Sequence, residues 1–112
     1  LASSKEFVER TMDALSVATG GNVSSRPMMG EYVVYYRDKV IGGIYDDRLL
    51  VKVTPSSREM LAHAPLELPY EGAKEMVRIQ DLDERDTISA LFEAMYDELP
   101  KPRPRKKKAD KR

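Results

Sequence analysis

Hydrophobic positions change their spacing four times along this chain. Over residues 4–18 they recur with helical period. At 100° per residue Phe7, Val8, Thr11, Met12, Ala14, Leu15 and Ala18 share one face, and Lys5, Glu6, Glu9, Arg10 and Asp13 share the other. Ser3, with Glu6 three residues later, reads as a capping box, and Gly20-Gly21 as the stop, because glycine takes the left-handed cap conformation at no steric cost. From Val23 the pattern shortens to strand-like runs: Val23 to Met29, Tyr32 to Arg37, Val40 to Asp46 and Leu49 to Val53. Gly30, Asp38-Lys39 and Asp46-Asp47-Arg48 separate these runs by hairpin-sized gaps, which predicts an antiparallel meander. Helical character returns at Thr54-Pro55, where Thr54 can cap and Pro55 at the first helical position gives up no hydrogen bond. Met60, Leu61 and Ala64 supply an apolar face and Pro65 ends it. Glu75 to Ile79 predicts a last strand. Asp83 predicts the cap of a final helix to Leu99, with Ile88, Leu91, Phe92, Met95 and Leu99 as its stripe and Glu93 on the solvent side. The order helix, strands, helix, strand, helix describes an α+β domain with an antiparallel sheet of about five strands and helices packed on it.

The predicted sheet is unusual in being apolar on both faces. Tyr32, Val34, Tyr36, Val40, Ile44, Leu49 and Val51 form one alternating set; Val33, Tyr35, Ile41, Tyr45 and Leu50 belong to the other. An antiparallel sheet covered on one side only shows a polar second face. Either helices and loops wrap round to cover the second set, or that set is an interaction surface. On the second reading Tyr35 and Tyr45 mark a partner surface and a homodimer is expected.

Charge divides the chain into two parts. The 112 residues hold 19 Lys+Arg and 19 Asp+Glu. Residues 100–112 alone carry eight basic residues and one acidic, a net +7, which leaves −7 on residues 1–99. Pro100, Pro102 and Pro104 alternate, blocking both helix and sheet ladders, and Ala109 is the only other apolar side chain there. The expected division is therefore a folded domain over 1–99 and a disordered basic tail over 100–112. Lys101, Arg103, Arg105, Lys106, Lys107, Lys108, Lys111 and Arg112 make that tail a candidate for weak, sequence-independent nucleic-acid binding. No apolar run approaches the ~18 residues of a membrane span, and no signal-peptide core is visible, so the cytoplasm is the expected location.

Candidate chemistry is sparse. Zero Cys excludes disulfides, thiolate metal sites and cysteine nucleophiles, and a single His excludes a multi-histidine centre within one chain. Ser24-Ser25 and Ser56-Ser57 have no plausible base, and His63 beside Pro65 reads as a surface residue. Asp46-Asp47 reads as a turn. Asp81, Asp83 and Asp86 fail as a calcium loop, because Asp86 stands where the sharp bend requires Gly. Gly42-Gly43 within a strand marks a bulge or a close backbone approach rather than a nucleotide loop. Met12, Met60 and Met95 read as core filler, and of Met28-Met29 one is expected buried and one exposed. These patterns point to no cofactor, metal or catalytic group.

One stretch is distinctive. Ser25-Arg26-Pro27-Met28-Met29-Gly30-Glu31-Tyr32, followed by Tyr36-Arg37-Asp38-Lys39-Val40-Ile41-Gly42-Gly43-Ile44-Tyr45-Asp46-Asp47-Arg48-Leu49-Leu50-Val51-Lys52, resembles the N-terminal domain of the TfoX/Sxy competence-regulator family. The resemblance implies an α+β fold of the secretion-chaperone-like type and no established catalytic residues. Arg26, Pro27, Met28, Gly30, Leu49 and Lys52 match the family pattern. Members of that family often have an aromatic then Gly-Gly after the Met, where this chain has Met29-Gly30-Glu31. The full-length regulators carry a second, helical domain that is absent from this sequence, and are implicated in switching on DNA-uptake genes with the cyclic-AMP receptor protein. The expected function is a non-enzymatic regulatory or adaptor domain acting through contacts with a protein partner, with nucleic-acid association through the basic tail as the alternative.

Overall fold

The computed structural model describes residues 3–102. Helix α1 (Lys5–Thr19) opens the fold, followed by four strands: β1 (Val23–Met28), β2 (Glu31–Tyr36), β3 (Lys39–Ile44) and β4 (Leu49–Val51). A short helix α2 (Pro55–Met60), a two-residue strand β5 (Leu66–Glu67), strand β6 (Met76–Ile79) and helix α3 (Arg85–Tyr96) complete it. The strands form one sheet in the order β1-β2-β3-β4-β6-β5, and every neighbouring pair is antiparallel. The sheet has six strands where about five were expected. The extra one, β5, is too short to show a period, and its pairing with β6 defines it.

Side-chain caps hold the starts of α1 and α2, though not always with the residues the pattern suggests. Ser4, rather than Ser3, caps α1 by accepting the Phe7 N–H at 3.1 Å. Ser3 instead donates its hydroxyl and its N–H to the Glu31 carboxylate, at 2.8 and 3.0 Å, and so ties the helix start to the β1–β2 hairpin. Gly20 closes the helix at φ 67. Thr54 and Ser57 form the reciprocal capping box of α2. The expected cap of α3 moves by one residue. Glu84 occupies that position with no side-chain hydrogen bond, while the Asp83 N–H is held by Asp81 Oδ1 at 2.9 Å in a turn just before the helix.

The main core lies between one face of the sheet and the helices. Val8 and Leu15 of α1 and Ile88, Leu91, Phe92 and Met95 of α3 pack with Val34, Tyr36, Ile41, Ile44, Leu49, Val51, Val77 and Ile79 from the strands. Burial of each such side chain stabilises the fold by roughly 1.5–3 kcal/mol. Phe92 meets the Tyr36 ring edge-on, with centroids 5.6 Å apart.

A bulge changes the predicted face assignment of β3. Val34 pairs with Gly42 but Tyr35 pairs with Val40, which leaves Ile41 as the extra residue. One inserted residue reverses side-chain parity. Ile41 therefore lies in the helix-side core, fully buried, and Val40 passes to the opposite side with Tyr35. The reverse had been expected. Gly42 is required here, because a Cβ would collide with the Leu50 carbonyl oxygen and sit 2.8 Å from Val51 Cα. β3 and β4 approach too closely for any side chain at that point.

Candidate functional site: the helix-free face of the sheet

The second face of the sheet has no helix on it. Val33, Tyr35, Val40, Tyr45, Lys52 and Met76 instead line a cavity of about 660 Å³ with the segment from Pro69 to Glu75. A larger cavity of about 1010 Å³ adjoins it, sharing Met28, Tyr45, Pro69 and Tyr70 and reaching the β1–β2 turn. A third, of about 490 Å³, adjoins the opposite end and shares Tyr35, Val40 and Lys52. The shared lining makes these one continuous groove across the helix-free face. Beneath it Leu50, the register partner of Gly43 and Arg78, is fully buried without belonging to the helix-side cluster. This face thus has a small apolar floor of its own.

Two hairpins shape the groove. At the β3–β4 turn Asp46 and Asp47 both take positive φ, 52 and 56, while Tyr45 and Arg48 exchange backbone hydrogen bonds at 2.9 and 3.0 Å. This is the two-residue turn that matches strand twist, and Asp tolerates its left-handed positions better than most residues. The turn aims Tyr45 across Gly43, where a Cβ would meet the ring at 2.5 Å. The ring continues to Tyr70, 6.1 Å away between centroids. Burial raises the Tyr45 pKa, with the neighbouring Tyr70 and Glu31 adding to it. At the β1–β2 turn Met29 sits at φ 51 and is 98% exposed, ahead of Gly30 at φ 89. A large apolar side chain in a left-handed conformation and in full contact with water opposes two folding preferences at once.

Arg48 holds the outer wall in place. Its guanidinium donates to the Glu67 carboxylate at 2.9 Å, to the Leu68 carbonyl at 3.0 Å and to the Pro69 carbonyl at 3.3 Å, and its Nε to the Tyr45 carbonyl at 3.1 Å. Arg78 joins from β6 at 3.2 Å. The Arg48 hydrogen bond first, then Arg78, lowers the Glu67 pKa against the effect of burial. Sequence reasoning passed over Arg48, Leu68, Pro69 and Tyr70. The only signals were the alternation Leu66-Glu67-Leu68 and the proline that breaks it.

A second polar cluster lies where α3 meets the β2–β3 turn. Tyr36 donates its hydroxyl to Glu93 at 2.6 Å, and Arg37 donates to both Glu93 oxygens at 3.0 Å. Tyr96 donates to Asp38, and Lys39 Nζ donates to the Tyr96 carbonyl at 2.8 Å. The Tyr36 hydrogen bond, followed by Arg37, lowers the Glu93 pKa, and the Tyr96 hydrogen bond lowers that of Asp38. Glu93 remains exposed, as its place on the helix predicted, but it also latches the turn to the helix. These groups satisfy one another, so the cluster fastens the β2–β3 turn to α3, with Asp38 also lining the end of the groove.

The residues marked in the sequence divide between the two faces. Tyr35, Tyr45, Met28 and Lys52 line one cavity, and Gly30 lines the adjoining one. Arg26 and Pro27 are exposed on β1, an edge strand, where the missing proline N–H costs no ladder bond. Leu49 is 1% exposed in the helix-side core. Met28 and Met29 are both exposed, so the expected buried partner of the pair does not exist. Met60, expected in the core, is 39% exposed because α2 ends there and Leu61 packs inward instead. Lys101 is exposed; Arg103, Arg105, Lys106, Lys107, Lys108, Lys111 and Arg112 lie outside the described residues. Among the described residues, no helix is long and apolar enough to cross a membrane.

Comparison with known proteins places these features in context. The TfoX N-terminal domain family matches over residues 15–97. An "uncharacterized 12.7 kDa protein in trpE 5'region" of Spirochaeta aurantia is 37% identical over 82 residues, covering 72% of this chain and 71% of that protein. No solved structure matches.

Proposed function

The chain belongs to the TfoX N-terminal domain family, and from that premise we propose that it is a non-enzymatic regulatory or adaptor domain, working in transcriptional control of the competence type. It acts by seating a protein partner on the helix-free face of its sheet. One observation carries this reading. The groove across that face is lined by Tyr35, Tyr45 and Tyr70 and ends at Met29, an apolar side chain 98% exposed on a strained turn. Strain and apolar exposure together weaken the isolated fold, and a partner that covers Met29 recovers the apolar part of that loss. Aromatic residues and Met are the side chains enriched where proteins meet.

The test is genetic, with a folding control. In the organism that encodes the chain, an in-frame deletion is complemented with wild type, Met29→Glu or Tyr45→Glu, and transcripts of DNA-uptake genes are measured. Wild type restores transcription lost on deletion, and both variants fail. Met29→Glu also keeps a wild-type circular dichroism spectrum, since Met29 makes no core contact to lose. Full restoration by Met29→Glu and Tyr45→Glu removes the helix-free face from the function.

A further inference from the structure

Oxidisable sulfur is distributed unevenly in this chain. With zero Cys, the six Met hold all of it. Met95 is fully buried, Met12 and Met76 are partly covered, Met60 is 39% exposed and Met28 48%. Met29 is 98% exposed, and with Met28 it lines the large cavity at the hairpin end of the groove. From this placement we infer that Met29 is a modification site: a peroxide converts its thioether to the sulfoxide, which switches off the docking face while the fold stays intact. The inference deepens the docking reading above and rests on it.

The chemistry needs only access. A thioether carries no proton to lose before it reacts, so exposure decides which Met is oxidised first. A sulfur lone pair attacks one peroxide oxygen. The S–O bond forms, the O–O bond breaks, and the departing hydroxide takes up the proton of the transferred oxygen to leave as water. The sulfur loses two electrons and the peroxide gains them. Methionine sulfoxide reductases reverse the change, with two thiols leaving as a disulfide and the oxygen as water. Glu31, Asp46 and Glu71 line the same cavity, so a neutral peroxide approaches it more readily than an anionic oxidant.

The turn makes this a switch rather than damage. Met29 and Gly30 take φ 51 and 89, the positive values of a two-residue hairpin turn, where Asn and Gly are the usual residues. The turn directs the Met29 side chain into water. An oxygen added there costs the free protein no packing and reduces its exposed apolar surface. Oxidation of Met95 would instead place a polar group in the core. Against a partner's apolar surface the Met29 sulfoxide oxygen must leave water with no donor to meet it, which weakens docking roughly ten- to a hundredfold. Met60, at the end of α2, lines none of the three cavities and serves as the internal comparison.

The test has a chemical arm and a genetic arm. The full chain is treated with hydrogen peroxide and mapped by peptide mass spectrometry, with fragmentation separating Met28 from Met29. Met29 is oxidised several-fold faster than Met60, and Met95 stays unmodified while the chain is folded. The chain oxidised at Met29 alone keeps its circular dichroism spectrum, and its urea midpoint is unchanged or raised. In the organism that encodes the chain, brief peroxide treatment lowers transcripts of DNA-uptake genes. Met29→Leu, which keeps the apolar bulk without the sulfur, restores transcription to a deletion strain and holds it under peroxide. Met29→Gln, polar as the sulfoxide is, fails to restore it. Oxidation of Met60 as fast as Met29, a lowered urea midpoint on oxidation of Met29 alone, or an equal fall under peroxide in wild type and Met29→Leu each overturns the inference. Failure here and failure of the docking reading are separable. An equal fall in wild type and Met29→Leu, with Met29→Glu still defective, removes only the switch. Full function in Met29→Glu removes the docking reading and the regulatory role with it, whatever the order of oxidation.

Discussion

On the helix side of the sheet Val34, Ile41, Ile44 and Val51 are wholly buried under α1 and α3. On the other side Met28, Leu68, Tyr70 and Met29 are 48, 47, 60 and 98% exposed, although the same strands or their connections carry them. Both surfaces are apolar, so composition does not separate them; what covers them does. The helix side has aliphatic and aromatic groups buried against one another, fastened at its rim by Tyr36, Glu93 and Arg37. The other side has a thin floor of Leu50 under a strap held by Arg48 and Glu67, with cavities left between them. A surface that stays apolar after the fold has satisfied its own core is available for recognition.

The largest effects expected from this contrast are on stability, and they are unequal. Leu91 is fully buried in α3, so Leu91→Ala costs about 2–5 kcal/mol through lost burial and the cavity it leaves. Tyr70→Ala removes a larger side chain from the open side yet costs roughly 1 kcal/mol or less, because most of that ring is already in water. Urea denaturation of both variants measures the difference. Comparable losses would break the distinction, since they would mean that the strap is as much core as the helices are.

How much of this contrast could be read from the sequence depends on the parity of a few residues. Alternation over Tyr32 to Tyr36 and Leu49 to Val51 identified two apolar faces correctly, because those segments have no insertions. Ile41 and Val40 were exchanged, because a bulge inserts a residue without any change in hydrophobicity to announce it; Gly42-Gly43 marked the place but not the outcome. That Tyr35 and Tyr45 share the second face of the sheet was legible from period alone. Arg48 and Tyr70 were not. Their roles depend on a contact between residues about 20 positions apart, made to backbone carbonyls that any sequence presents. Met29 was mispredicted as one of a half-buried pair, because strand alternation was carried one residue into a turn whose positive φ turns the side chain out.

That turn supplies a substitution of opposite sign. Met29→Asn places a residue that tolerates the left-handed conformation where Met is strained, and it removes an exposed apolar side chain. It stabilises the fold by roughly 0.5–1 kcal/mol, read as a higher urea midpoint at unchanged slope. On the helix side, truncating or replacing a buried apolar group lowers stability; here replacement raises it. A lower midpoint for Met29→Asn would show that Met29 packs within the isolated chain, and the argument for a docking residue at the hairpin tip would lose its basis.

The smallest effects are electrostatic, and they separate the two rims by pH. Glu93 and Asp38 on the helix side and Glu67 on the strap all titrate below their ordinary values, through hydrogen bonds from Tyr36, Tyr96 and Arg48 respectively. A carboxylate with a lowered folded-state pKa contributes stability that is complete above the unfolded value, near 4, and is lost as pH falls through the folded one. Tyr36 is shifted up, by burial first and then by Glu93. Its contribution is complete below the unfolded value, near 10, and is lost as pH rises through the folded one. The Tyr36–Glu93 pair therefore acts on both flanks of the stability profile, whereas Glu67 acts on the acid flank alone. Tyr36→Phe flattens the acid and the alkaline flank together, because the mutation removes the phenol and the donor that holds Glu93 ionised. Glu67→Gln flattens only the acid side and leaves the profile above neutrality superimposable on wild type. Urea midpoints taken at intervals between acid and alkaline pH resolve the two patterns. An alkaline change in Glu67→Gln would mean that the strap carboxylate is coupled to a tyrosine across the groove, most directly Tyr45 beside Tyr70, and that the two sides of the sheet are fastened less independently than their geometry indicates.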